Sequence, residues 1–276
     1  SSDLVYMGGN SFMLTKFQIQ APRLTHITSE RYDANARVSI NDHFLLRLSA
    51  CAPALRSFTL MRCVRTIEGL ATSLVGCPLL EEFRAFDVTI PSGELVLIAR
   101  KPSIRIFRVR GAIDTQLADV RTVMQGIRAL SPSLEAFEED DAVWWLDGLS
   151  DAIGRGKCPN LRVLCLPSLV VDQIEGINPD LLAFQRQLRA LFAGMPTLET
   201  LMMETDMATV SRRGEAFTSE RWDAIARTLD GLLPNLRFLS VRLTPGPDFR
   251  DCPAAKALRE SRPGLVIGDN PWYFDS

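Results

Sequence analysis

The sequence predicts an α/β solenoid, a stack of short units that each add one helix and one strand to a parallel sheet. Three observations predict it. A phrase of proline, an aliphatic residue two positions on and an apolar residue three further recurs along the chain; apolar residues alternate with period two after it; and they recur at helical spacing before it.

The phrase has nine registers, at Pro22, Pro53, Pro78, Pro102, Pro132, Pro159, Pro196, Pro234 and Pro263. Two residues later stand Leu24, Leu55, Leu80, Ile104, Leu134, Leu161, Leu198, Leu236 and Leu265. Three further on come Ile27, Phe58, Phe83, Phe107, Phe137, Leu164, Leu201 and Leu239, and only Gly268 breaks the series. The next alternate position is Leu60, Ala85, Val109, Leu166, Met203 and Val241, with Ser29 and Glu139 departing from it. Period two means a short strand with one face buried. Successive prolines lie 31, 25, 24, 30, 27, 37, 38 and 29 residues apart, a solenoid spacing.

The intervals supply the helices. Val120, Val123, Met124, Ile127 and Leu130 share one helical face, as do Leu181, Leu188, Leu191 and Phe192, and again Trp222, Ile225, Leu229 and Leu232. Proline cannot continue a helix and holds the chain extended, so it marks the helix-to-strand corner. Strands joined through helices pair in parallel by right-handed crossovers, which places the sheet inside and the helices outside. Residues 1–20, with "LTKFQI" at 14–19, are expected to form an N-terminal capping strand region, residues 21–268 about nine repeats, and residues 269–276, "NPWYFDS" among them, a C-terminal aromatic cap.

The phrases "CPLLEEFRAF", "CPNLRVLCL", "MPTLETLMM" and "LPNLRFLSV" resemble the leucine-rich repeats of the long, ribonuclease-inhibitor-like class found in F-box proteins. That resemblance implies a leucine-rich-repeat solenoid shaped as a horseshoe, with the parallel sheet on the concave face and helices on the convex face. It implies substrate recognition for a ubiquitin ligase, with a Skp-type adaptor bound through a segment outside this chain. A stand-alone scaffold, inhibitor or sensor domain is the alternative.

Composition narrows the function classes. A formal net charge of -2 and a pI near 5.8 provide no broad positive field for nucleic acid or anionic membrane. No apolar run approaches the ~18 residues of a membrane span, and the first residues lack the basic start and apolar centre of a signal peptide, so an intracellular chain, cytoplasmic or nuclear, is expected. Six cysteines, at 51, 63, 77, 158, 165 and 252, form no CxxC pair and have no histidine at zinc-ligand spacing, so no metal is expected and the thiols read as small buried residues. There is no GxSxG, HExxH or P-loop, and "GRGKC" at 154–158 lacks the first glycine of a phosphate loop. His26 and His43 belong to no motif. No catalytic residue and no cofactor is assigned.

Two further patterns concern the strands. The residue three after each proline runs Thr25, Arg56, Glu81, Arg105, Glu135, Arg162, Glu199, Arg237, alternating in sign from the second unit on. In a parallel sheet such residues lie about 4.8 Å apart, so each charge is expected to have opposite neighbours and to mark in-register stacking. The residues six and eight after each proline are expected on the concave face. There, Arg84, Phe86, Arg108 and Arg110 form a basic, aromatic stretch beside the acidic Glu138 and Asp140, and Met202, Glu204 and Arg242 continue the face. Arginine and aromatic residues are enriched in binding hot spots, so these are the expected contacts for a protein partner. The polar stretch 204–222 is a second candidate, because loops on a rigid scaffold often carry recognition.

Overall fold

Proline, with φ held near −65°, fits the second position of a β-turn, and that is where the repeated phrase places it. In the computed structural model the residue before the proline accepts a hydrogen bond from the N–H of the aliphatic residue two beyond it. These pairs are Ala52 and Leu55, Cys77 and Leu80, Lys101 and Ile104, Cys158 and Leu161, Met195 and Leu198, Leu233 and Leu236, and Arg262 and Leu265, at 2.9–3.2 Å. The structure describes residues 4–8, 23–30, 50, 52–63, 69–88, 90–110, 113–114, 132–139, 158–166, 189, 192–193, 195–204, 219–242 and 249–268.

A second backbone device follows each turn. The carbonyl three residues after the proline accepts two consecutive N–H groups of the next unit. Arg56 and Ser57 donate to Thr25, Glu81 and Glu82 to Arg56, Arg105 and Ile106 to Glu81, Glu199 and Thr200 to Arg162, and Arg237 and Phe238 to Glu199, all at 2.8–3.0 Å. Each unit is thereby clasped to the one before it ahead of the strand, and strand register follows from the clasp.

The chain divides into two compact units, Ser1–Leu134 and Glu135–Ser276. In the first, β1 (Leu4–Gly8), β2 (His26–Glu30), β3 (Ser57–Cys63), β4 (Glu82–Val88) and β6 (Ile106–Arg110) pair in parallel, each strand beside its predecessor. Helix α1 (Leu70–Val75) connects β3 to β4, and α2 (Ser92–Ala99) connects β4 to β6. Two short strands, β5 (Ile90–Pro91) and β7 (Ile113–Asp114), pair with each other outside the main sheet. The core is a column of phenylalanines five residues after the proline. Phe58 stacks on Phe83 at 6.4 Å between ring centroids and Phe83 on Phe107 at 5.7 Å, all three fully buried. Leu60, Ala85 and Val109 fill the next level.

In the second unit β8 (Ala136–Glu139), β9 (Val163–Leu166), β10 (Thr200–Glu204), β11 (Phe238–Arg242) and β12 (Val266–Ile267) are likewise parallel neighbours. Helix α3 (Ser219–Leu232) leads into β11, and a 3-10 turn at Phe249–Asp251 followed by α4 (Pro253–Ser261) leads into β12. Trp222, Ile225 and Leu229 of α3 are buried as the helical spacing predicts, with Leu233 taking the last core place and Leu232 only half-buried. Trp222 packs against Phe249 at 5.1 Å. Phe192 is buried, whereas the predicted helix at 120–130, most of that at 181–192 and the C-terminal aromatic segment lie outside the described residues.

One expectation is corrected. The strands do not bury one face only: Ser57, Phe58, Thr59 and Leu60 are consecutive and all buried, as are Leu201, Met202 and Met203, and Leu239, Ser240 and Val241. Strands of a parallel sheet covered on both sides read as continuous apolar runs, and "LMM" in β10 is such a run.

Candidate functional site

The leucines and phenylalanines take one face of each sheet, which leaves Ser57, Thr59 and Met61 of β3, Glu82, Arg84 and Phe86 of β4, and Ile106 and Arg108 of β6 on the other. In-register pairing sets these residues in rows: Thr59, Arg84 and Arg108 form one, and Met61 and Phe86 the next, two residues further along. Thr28 extends the first row on β2. Met61, Glu82, Arg84 and Phe86 are partly exposed, and Arg108 retains 9% exposure.

Electrostatics on this face centre on Glu82. Its Oε2 accepts from the Ser57 hydroxyl at 3.2 Å and from Arg84 Nη2 at 3.3 Å. Arg84 Nε is buried with no acceptor among the described residues. Directly across the sheet stands Arg108, a second guanidinium in the same row. Like charges at facing positions of adjacent strands repel, and Glu82, one row nearer the turns, offsets part of the charge on Arg84.

Asp87 ends the face. It is exposed and has a left-handed backbone, φ +52°, which aspartate tolerates better than most residues. The left-handed residue shifts the alternation by one, so Val88 rather than Asp87 points into the core, and Phe86 becomes the last residue of β4 on the face opposite the core.

His26, Ser57 and Glu82 also form a row, one level nearer the turns. Imidazole, hydroxyl and carboxylate meet there, but in an order that does not make a nucleophile. Ser57 donates to Glu82 and not to the imidazole, and His26 Nδ1 is engaged by Thr25 Oγ1 at 2.8 Å. A serine nucleophile needs its proton directed at the base.

The second unit differs on its corresponding face. Glu138 (2% exposed), Cys165, Met202 (0%) and Ser240 (0%) form one row across β8–β11, and all are buried. Glu138 and Met202, expected as open contacts, are therefore closed to an incoming partner in this structure. The signal for Met202 was present in the sequence, since it lies between two core residues in an unbroken apolar run. Glu204 and Arg242 pair in the strand register, and Arg110 pairs with Phe86; these three are placed by backbone position. Asp140, His43, Trp144, Trp145 and the stretch 205–218 lie outside the described residues.

The charge ladder is present in segments. Glu81 is bracketed by Arg56 and by Arg105, whose Nη1 lies 3.6 Å from Glu81 Oε2, and Arg162 donates to Glu199 through Nε at 3.0 Å and Nη2 at 2.5 Å. Arg237 shares only the backbone clasp with Glu199. Four cysteines, Cys77, Cys158, Cys165 and Cys252, are buried and form no disulfide. Burial pushes the Cys77 and Cys252 thiols above the ordinary range, and burial lowers Lys101 beside Cys77. Among the described residues no group of three or more His, Cys, Asp or Glu side chains could hold a metal ion, and no helix is long and apolar enough to cross a membrane.

No protein family and no curated protein matches the chain. Among solved structures it is similar to an internalin from Listeria monocytogenes, with a TM-score of 0.43 and 13% identity over 92% of this chain. The chain covers 63% of that internalin, less than two thirds of its length.

Proposed function

We propose that this chain is a protein-binding repeat domain and that its partner docks on the first unit's sheet face around Met61, Arg84 and Phe86. One observation carries the reading. Arg84 stays partly exposed where Glu138, Cys165, Met202 and Ser240, at the same place in their repeats, are buried, and Met61 and Phe86 are partly exposed in the next row beside it. A rigid face with arginine, methionine and an aromatic residue has the composition of an interface core.

The finer reading rests on the repeated phrases, which resemble those of F-box proteins: the domain selects the target of a ubiquitin ligase, and a Skp-type adaptor binds elsewhere on the parent protein. Mass spectrometry of proteins copurifying with the full-length parent, alongside an Arg84→Glu, Phe86→Ser variant, tests both levels. A protein retained by the parent and lost by the variant supports docking on this face. Recovery of a Skp-type adaptor and a cullin with both forms supports the ligase role. Identical partner sets for parent and variant would remove the face from consideration.

A further inference from the structure

Resting on that reading of the first unit's face, we infer that Met61 is an oxidation site, and that a peroxide, by turning its thioether into the sulfoxide, closes the face to the partner.

Exposure is the first argument. Met61, Met195, Met202 and Met203 are the methionines with described side chains. Met195, Met202 and Met203 are buried, whereas Met61 is partly exposed. The difference follows from the repeat. Met195 precedes a turn proline, Met203 takes a core position and Met202 lies in the buried row of the second unit, while Met61, eight residues after Pro53, stands on the first unit's open face. A thioether carries no proton, so no titration gates its reaction, and access of the oxidant decides which sulfur reacts. With hydrogen peroxide, a sulfur lone pair bonds to one oxygen as the O–O bond breaks. The other oxygen leaves as hydroxide and takes up the proton that the transferred oxygen releases. Sulfur loses two electrons, and the peroxide is reduced to water.

Position is the second. Met61 and Phe86 are register partners on adjacent strands, so their side chains leave one face about 4.8 Å apart and form its apolar row. The sulfoxide is polar and chiral where the thioether was apolar and flexible. A partner closing over it strips water from the S=O group, and an apolar surface offers no donor in return. The fold is spared, because Leu60, the buried neighbour of Met61 on β3, points to the opposite face. Oxidation thus acts on the docking row without unfolding the unit.

The full chain is treated with hydrogen peroxide, then with dithiothreitol to reverse disulfide and sulfenic oxidation of cysteine, and sulfoxide is located by peptide mass spectrometry. Capture is measured with the full-length parent as bait, against the partner identified by copurification. The expected result is that sulfoxide forms at Met61 about tenfold or more faster than at Met195, Met202 or Met203, with an unchanged circular dichroism spectrum, and that capture falls about tenfold, as loss of an anchor does. Methionine sulfoxide reductases A and B, with dithiothreitol as reductant, restore capture, whereas dithiothreitol alone does not. Met61→Leu captures the partner before and after peroxide. Oxidation of Met61 no faster than that of the three buried methionines overturns the site. Undiminished capture by the Met61 sulfoxide, or an equal loss in Met61→Leu, overturns the switch. If the Arg84→Glu, Phe86→Ser parent also captures that partner, the docking reading falls and the switch with it, while the mass spectra still decide the site.

Discussion

Glu94 closes the start of a helix to which it does not belong. Its carboxylate, in the first turn of α2, accepts the Gly69 N–H at 3.0 Å and the Ala71 N–H at 2.5 Å, at the N-terminus of α1. Gly69 occupies the N-cap with φ +79° and has no side chain with which to cap its own helix. A negative charge satisfying two N–H groups at that end is favourable for the hydrogen bonds and for the helix dipole together. Glu94→Ala is expected to destabilise the chain by about 1–2 kcal/mol, and Glu94→Gln by less because its amide oxygen still accepts. Chemical denaturation reads the first, and hydrogen exchange at the α1 amides should localise it.

The phenylalanine column makes a larger prediction. Phe83 touches a ring on each side and is fully buried, so Phe83→Ala removes packing from three units together. A loss of about 3–5 kcal/mol is expected, and Phe83→Leu should recover more than half by leaving a smaller cavity. Denaturation midpoints of the two variants are the check. A loss below that of an exposed substitution would mean the column is not the core.

Ion pairs of the ladder should matter far less. Arg162 and Glu199 are both partly exposed, and pairs of this kind contribute about 0–1 kcal/mol. The backbone clasp, in which Glu199 and Thr200 donate to the Arg162 carbonyl, remains whatever side chain stands at 162. Arg162→Glu is therefore expected to cost at most about 1 kcal/mol by like-charge repulsion, to be relieved by salt, and to be restored by adding Glu199→Arg. No loss at low salt would show that the ladder contributes nothing.

These cases show what was legible in the sequence. Turn, strand and core were, because Pro78, Leu80 and Phe83 each perform a local task that fixes residue type: a preset φ, and two buried side chains at strand spacing. Residues on the opposite face were read less well. Period two says that Met202 and Leu201 point to different sides, but not whether the second side is covered, and only the absence of any polar residue from "LMM" betrayed that it is. Glu94 as a cap could not be read, since its partner lies in another helix and capping signals are recognised at the start of a residue's own helix. Asp87 was equally hidden, because a single left-handed residue inside a strand leaves the apolar pattern intact up to the residue where it acts.

The thiols yield a prediction about reactivity. Cys77, Cys158, Cys165 and Cys252 are buried, and for Cys77 and Cys252 burial raises the pKa, which suppresses the thiolate that reacts. Cys252 has a structural task as well, since its sulfur accepts from the Ala255 N–H at 3.3 Å and caps α4. In the native protein at neutral pH these four should resist alkylation by iodoacetamide and become labelled on denaturation, with peptide mass spectrometry as the readout. Rapid native labelling of Cys77 would show that its unit opens.

Arg262 carries the last prediction. It occupies the position before the final turn proline, where earlier units place Ala52, Cys77 or Leu233, yet it is not wasted on solvent. From the C-cap of α4 its guanidinium reaches the end of α3, donating Nη1 to the Leu233 carbonyl at 2.5 Å, Nη2 to those of Leu229, at 3.4 Å, and Asp230, and Nε to the Asp230 carboxylate at 3.0 Å. A helix C-terminus leaves carbonyls without intrahelical donors and is partially negative, so a planar cation with several N–H groups satisfies both demands. The side chain is only 17% exposed, which limits screening by solvent. Arg262→Ala should therefore cost about 1–3 kcal/mol, and Arg262→Lys should recover less than half, because an ammonium supplies the charge without the fork. If lysine restored stability fully, the attraction would be one of charge alone. If alanine cost nothing, α4 would be held by the burial of Ala255 and Leu258, and the carbonyls at the end of α3 by water.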